Sequence, residues 1–242
     1  DEIFKALLSI QPDVDFSRIG SELSCEPIYR PYLIENILAH CNRRSEVRER
    51  ISRCRIFVGT VATLSSKPEL FRLKHFNVAI IDEATQILEP QLLGLLCTRS
   101  EDNRNAIDKF ILIGDHKQLP AVVLQNTEQT EVYEDSLRQI GLLNLKDSLF
   151  ERLYRSLKLS TNFDMLCKQG RMHPEVAYFA NHAFYGGKLE SVGLPHQKEE
   201  IKKSRVIFIP SHAEPTSSSG KVNRSEAVIA ARLAAEIFTE YD

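Results

Sequence analysis

The apolar run Val78-Ala79-Ile80-Ile81 breaks off into Asp82-Glu83, followed by Ala84-Thr85-Gln86. Two adjacent carboxylates at the carboxyl end of a strand are what nucleotide hydrolysis requires: one to hold hydrated magnesium, one to orient and deprotonate the attacking water. Asp82 is the candidate Mg2+ ligand and Glu83 the candidate base. A strand that simply meets solvent also ends in acidic residues, so the pair alone leaves both readings open. About 30 residues on, Phe110-Ile111-Leu112-Ile113 ends in Gly114-Asp115-His116-Lys117-Gln118-Leu119-Pro120. Glycine at a strand tip permits close backbone approach, and the uncharged amide of Gln118 can sense a phosphate oxygen without locking it. The plainer alternative is a tight turn with His116 and Lys117 solvated. A third element, Gln169-Gly170-Arg171-Met172-His173-Pro174, offers Arg171 to neutralise charge building on a transferred phosphoryl group. Its alternative is an ion pair near a helix N-terminus. His173, with no second ligand at metal spacing, reads as a capping or packing residue.

These side chains need a scaffold that brings strand ends together. The apolar runs 56–58, 78–81 and 110–113, separated by helical-length segments, predict buried parallel strands of an α/β sheet. In such sheets ligand chemistry gathers at the carboxyl ends of strands. Residues 32–41, behind Pro31, carry Leu33, Ile34, Ile37, Leu38 and Cys41 at helical spacing and predict a core-facing helix. Residues 43–55 set six arginines against two glutamates, a pattern that suits a solvated helix face better than a phosphate-contact surface. Residues 98–105 predict a surface connection and 142–157 a leucine-rich helix, after which the chain is expected to cross to a second domain near Lys158. Beyond it, His173-Pro174 opens an amphipathic helix with Val176, Phe179, Ala180, Ala183 and Phe184 on one face, stopped by Gly186-Gly187. A strand at 206–209, a loop at 211–220 and a last helix at 225–238 follow.

Composition bounds the rest. A chain of 242 residues with 43% hydrophobic content can bury one or two cores, and the expected division is 1–158 and 159–242. The formal net charge of -2 announces no global basic field, so a polyanionic partner would need a local groove. Five scattered cysteines with no C-x-x-C pair argue against zinc ribbons and a secreted disulfide framework, and point to a reducing intracellular compartment. No apolar run approaches the roughly 20 residues of a membrane span, so a soluble protein without membrane partners is expected.

Taken together the three elements resemble a known family. Asp82-Glu83-Ala84-Thr85-Gln86 resembles helicase motif II, 114–120 resembles motif III, and Gln169 to Pro174 resembles the Q-Y-R-M-H-P segment of superfamily-1 helicases of the up-frameshift-like type. Their order and separation match, and Arg18-Ile19-Gly20, Gly59-Thr60, Phe184-Tyr185-Gly186-Gly187-Lys188-Leu189 and Asn223-Arg224-Ser225-Glu226-Ala227 extend the likeness over nearly the whole chain. The resemblance implies an α/β, RecA-like P-loop helicase fold, with parallel sheets flanked by helices and ATP between two domains. By it Asp82 binds Mg2+, Glu83 activates water, Gln118 contacts the γ-phosphate and Arg171 acts from the second domain. Gln86, Gly114 and Asp115 are the further candidate nucleotide contacts. The family binds single-stranded RNA or DNA across both domains and moves 5′ to 3′, which makes Thr60 and Thr63 candidate phosphate contacts. The competing account of a strand-end threonine is its β-propensity.

Two departures from the family pattern stand out. Gly170 replaces the usual aromatic before the arginine and removes a packing contact expected to position Arg171. No G-x-x-x-x-G-K-[ST] run occurs in the sequence, and motifs V and VI are not present. Asp1-Glu2-Ile3 resembles the tail of motif Ia, so the expectation is an internal portion of an ATP-dependent helicase or translocase, inactive by itself. Two other classes compete: a non-catalytic scaffold that retains the helicase fold, and another P-loop machine such as a ring-forming AAA-type or transporter ATPase.

Overall fold

The computed structural model describes residues 2–157, 161–200, 204–212 and 222–241, and the chain divides into two compact units, Asp1–Asp164 and Met165–Asp242. In the first, helix α1 (Glu2–Ile10) leads into strand β1 (Phe16–Ile19), and helices α2 (Ile34–Leu38) and α3 (Arg44–Arg53) cross over to β2 (Ile56–Gly59). Helices α4 (Val61–Ser65) and α5 (Pro68–Leu73) connect β2 to β3 (Phe76–Ile81), and α6 (Glu89–Leu96) connects β3 to β4 (Ile107–Leu112). Two short helices, α7 (Thr127–Thr130) and α8 (Asp135–Gln139), and the longer α9 (Leu149–Leu157) complete the unit. β1 pairs with β2 and β3 with β4, both in parallel. Parallel neighbours need long crossovers, which is why helices lie between the partners of each pair. This is the α/β architecture that the spacing of apolar runs predicts.

The core is built from short contacts between these elements. Phe4, Phe16, Cys25, Tyr29 and Leu33 form one buried cluster, in which Phe16 stacks on Phe4 at 5.0 Å and on Tyr32 at 4.3 Å between ring centroids. Ile81, Ala84, Leu92 and Leu149 form another around the end of β3. Across it, Arg152 of α9 grips Glu89 of α6 through Nε at 2.7 Å and Nη2 at 2.5 Å, with side chains only 13% and 10% exposed. Arg152 also donates to the Ile140 carbonyl at 2.9 Å. Removing one member of a buried ion pair strands the other charge in a poorly solvated place. Glu89→Ala is therefore expected to lower the stability of this unit by about 3–5 kcal/mol in urea unfolding; a loss below about 1 kcal/mol would show the pair to be solvent-screened.

The second unit contains β5 (Lys168–Gln169), α10 (Pro174–Tyr185), β6 (Glu190–Ser191), α11 (Pro195–Lys198) and α12 (Arg224–Tyr241), with β5 and β6 parallel. α10 starts and stops as its ends predict. His173 Nδ1 accepts from the Glu175 N–H at 3.2 Å, and Gly186 and Gly187 leave the helix with φ of 61° and 75°, a left-handed exit that glycine adopts without strain.

Several sequence-based boundaries require correction. The helix expected over 32–41 spans only Ile34–Leu38, because residues 27–32 form a tighter 3-10 turn around Pro31 and Leu33 is extended. The helix expected from 142 begins at Leu149: the Val132 N–H donates to the Leu143 carbonyl and the Leu145 N–H to the Thr130 carbonyl, and the Ser148 hydroxyl accepts from the Glu151 N–H at 3.1 Å. Residues 206–209 form no strand and their side chains are exposed. β3 and β4 are not buried on both faces, since Val78, Ile80 and Ile111 are exposed, with Ile80 and Ile111 opposite each other in register. The expected apolar face of α10 is likewise open, with Val176, Phe179 and Phe184 exposed and Ala177 its buried residue. Lys158 and most of the loop expected at 211–220 lie outside the described residues. No helix among the described residues is long and apolar enough to cross a membrane.

Candidate active site

Parallel pairing brings the two acidic strand tips together. The register Ile80↔Ile111 and Ile81↔Leu112 continues past the strands, with the Ile113 N–H donating to the Ile81 carbonyl and the Ala84 N–H to the Ile113 carbonyl, each at 2.8 Å. Between those bonds the chain turns sharply: Glu83 has φ 51° and ψ 38°, a left-handed conformation that costs a side-chain-bearing residue free energy and often marks a functional turn. The turn is anchored by burial of Ala84 and Thr85, while Asp82 and Glu83 remain exposed. Asp82 Oδ1 accepts from the Glu83 N–H at 3.0 Å, and Glu83 Oε2 accepts from the Gln86 side-chain amide at 3.3 Å. A Cβ at Gly114 would lie 3.0 Å from the Thr85 backbone nitrogen and from its methyl. Glycine at 114 thus allows a close approach, as its position predicts, and the atom approached is the Thr85 backbone.

The loop after β4 is organised by Asp115. Its Oδ1 accepts from the Lys117 N–H at 2.9 Å and its Oδ2 from the Gln118 side-chain amide at 3.0 Å, and the Gln118 N–H donates to the Asp115 carbonyl at 3.1 Å. His116 is partly buried, where a plain turn would leave it solvated. Its ring lies 4.0 Å from that of Tyr154 on α9, Tyr154 lies 5.0 Å from Phe163, and His116 Nε2 is buried without a hydrogen-bond partner among the described residues. Burial holds the His116 pKa below its ordinary value, Lys117 lowers it further, and Asp115 and Glu151 oppose the shift. The folded chain therefore binds fewer protons here than the unfolded chain over the interval below the ordinary histidine pKa. Stability is expected to be complete above about pH 6.5 and to fall as pH drops through that value. In His116→Phe, that part of the pH dependence of the unfolding midpoint should disappear.

Thr60 and Thr63 lie together at the start of α4. Thr60 Oγ1 accepts from the Thr63 N–H at 3.2 Å and shares a 2.7 Å hydrogen bond with Thr63 Oγ1. Thr60 is the helix N-cap and lies outside the strand, so capping replaces β-propensity as its structural account. Arg171 belongs to the second unit. It is exposed, its guanidinium makes no ion pair among the described residues, and its backbone N–H donates to Gln169 Oε1 at 3.0 Å. The first unit therefore holds Asp82, Glu83, Gln86, Gly114, Asp115 and Gln118 at two neighbouring strand tips, with Thr60 and Thr63 at a third. Sequence reasoning did not single out Thr85, Tyr154 or the Glu89–Arg152 pair. Thr85 lies within the 82–86 run but was given no role there, and the only signal for the others was position, three residues beyond that run or within a leucine-rich helix.

Among the described residues no three His, Cys, Asp or Glu side chains converge as a preformed metal cage. Magnesium carried on nucleotide phosphates needs only one or two protein carboxylates, with water and phosphate completing an octahedron. Exposed Asp82, with most of its lone pairs uncommitted, fits that demand.

Comparison with known proteins gives independent results. Residues 37–126 match one AAA domain family and residues 145–242 a second AAA domain family. The DNA replication ATP-dependent helicase/nuclease DNA2 of Gallus gallus is 31% identical over 179 residues, 73% of this chain and 16% of that protein. The probable helicase MAGATAMA 3 of Arabidopsis thaliana is 39% identical over 115 residues, 48% of this chain and 11% of that protein. The 3'-5' exoribonuclease HELZ2 of Mus musculus is 33% identical over 147 residues, 60% of this chain and 4% of that protein. The chain thus spans less than a fifth of the length of each of these relatives.

Proposed function

Because this chain belongs to the superfamily-1 helicases of the up-frameshift-like type, a family of nucleotide-using, nucleic-acid-binding motors with a RecA-like fold, we propose that the whole protein couples ATP hydrolysis to movement along single-stranded RNA or DNA. The observation that carries this is the joining of the Asp82-Glu83 tip to the 114–118 loop through the Gly114–Thr85 contact. Asp82 holds Mg2+ and Glu83 takes the proton of the attacking water; bound ATP with Mg2+ supplies the transferable phosphoryl group and neutralises part of its charge. Gln86 steadies the Glu83 carboxylate, and Asp115 presents the Gln118 amide toward a terminal phosphate. Gly114 keeps the two tips at one spacing. Arg171 supplies positive charge from the second unit as the phosphoryl group leaves. Thr60 and Thr63 contact the strand's phosphates in exchange for the hydrogen bond they now share.

The 242 residues contain no G-x-x-x-x-G-K-[ST] run, so on this reading hydrolysis belongs to the whole protein. The test is ATP turnover by the whole protein with and without single-stranded RNA and DNA, beside the 242 residues alone. Stimulation by one polymer, with negligible turnover by the 242 residues, is the expected result and names the substrate. One relative is named for DNA replication and another as an exoribonuclease, so both polymers are needed. Robust Mg2+-dependent turnover by the 242 residues alone would overturn these roles. Silence of the whole protein under every condition would favour a helicase-fold scaffold.

A further inference from the structure

An arginine that stabilises a transferring phosphoryl group must be held within a fraction of an ångström, yet Arg171 sits in a short loop between a two-residue strand and a helix. The residue before Arg171 is Gly170, which has no side chain to pack. A Cβ at Gly170 would lie 3.2 Å from Leu194 Cδ1 and 3.4 Å from Val192 Cγ2, so these two side chains pack close to the loop backbone. Hydrogen bonds shape the loop instead. Gln169 closes it from within: its Oε1 accepts from the Arg171 and Met172 N–H groups at 3.0 and 2.8 Å, and its Nε2 donates to the Met172 carbonyl at 2.8 Å and to Ser191 Oγ at 3.2 Å.

A second glutamine, remote in sequence and outside every motif, supports the same loop from below. Gln197, on α11, is 3% exposed. Its Oε1 accepts from the Gly193 and Leu194 N–H groups at 3.0 and 3.1 Å, and its Nε2 donates to the Gln169 and Met172 carbonyls, each at 3.0 Å. Both amide hydrogens and both oxygen lone pairs are used, the full capacity of the side chain. Next to it, His196 Nε2 is 2.9 Å from the Gly170 carbonyl. Carbonyls on both sides of Arg171 are thus tied to one buried amide. A satisfied buried polar network specifies a single loop conformation, because any other arrangement would orphan its members.

We infer that Gln197 is a positioning residue for Arg171, fixing through its four hydrogen bonds the loop that carries the arginine. The inference rests on the reading of Arg171 given above. It is tested in the whole protein with Gln197→Met, which conserves volume and removes all four bonds, and with Gln197→Glu, which keeps size and acceptor but loses the donor pair. Each is combined with Arg171→Ala. The expected result is a fall in kcat of about 10- to 100-fold for the single Gln197 variants, with KM for ATP changed less than about twofold. The double variants should be no slower than Arg171→Ala alone, since a residue acting through Arg171 has nothing left to lose. If the losses multiply, Gln197 matters for general integrity and the positioning role is overturned. If Arg171→Ala slows turnover while both Gln197 variants keep the wild-type rate, this inference fails and the arginine reading survives. If Arg171→Ala itself turns over normally, both fall.

Discussion

Glu83→Gln in the whole protein is expected to lower kcat for ATP hydrolysis by about 10²–10⁴-fold, while ATP binding changes by less than about threefold. The size of the loss follows from removing the only proton acceptor among the two side chains at the tip of β3 that is not assigned to Mg2+. The selectivity follows from geometry. Glu83 is exposed and its carboxylate accepts one modest hydrogen bond from Gln86, so an isosteric amide leaves the buried Ala84 and Thr85 undisturbed. Its left-handed backbone is shared by the variant, since glutamine carries the same Cβ. The measurement is steady-state hydrolysis with a nucleotide-binding titration alongside. Turnover within about threefold of wild type would remove Glu83 as base and direct attention to Asp115, the other carboxylate at the paired tips.

Arg171→Ala is expected to reduce kcat by about 10³–10⁵-fold, the range over which an arginine delivered to a phosphoryl group acts. Arg171→Lys should recover little of this, because an ammonium on a flexible stem cannot reproduce the planar fork of a guanidinium. The folded state should be indifferent to both changes: Arg171 is exposed and makes no ion pair among the described residues, so thermal unfolding of the variants serves as the control. Preserved turnover in Arg171→Ala would return the residue to the ordinary role of a solvated cation beside α10.

Much of the first unit could be anticipated because its signals are local. Apolar runs of three or four residues, rich in β-branched and aromatic side chains, became β2, β3 and β4, and Pro174 with Gly186-Gly187 bounded α10, since strand propensity, first-turn proline and left-handed glycine act over one or two residues. The errors are equally physical. Helical spacing over 32–41 could not reveal that Pro31 belongs to a tighter turn, and apolar content at 206–209 could not supply the neighbouring strand that a fourth pair would need. β1 escaped notice because Phe16-Ser17-Arg18-Ile19 is a strand only by virtue of β2 beside it.

For the candidate site the division is sharper. The amino-acid sequence alone determined which chemistry is present, because carboxylates, an amide and a guanidinium at fixed offsets from apolar runs are covalent facts. Tertiary structure decided how those groups are held. Glycine at 114 matters through Thr85, 29 residues away in the chain; His116 is dried by Tyr154; and the Arg171 loop hangs from Gln197, 26 residues further on. Each of these is a contact between segments that no short window of sequence contains. Packing and hydrogen-bond satisfaction are properties of neighbours in space, and only the folded chain assigns those neighbours.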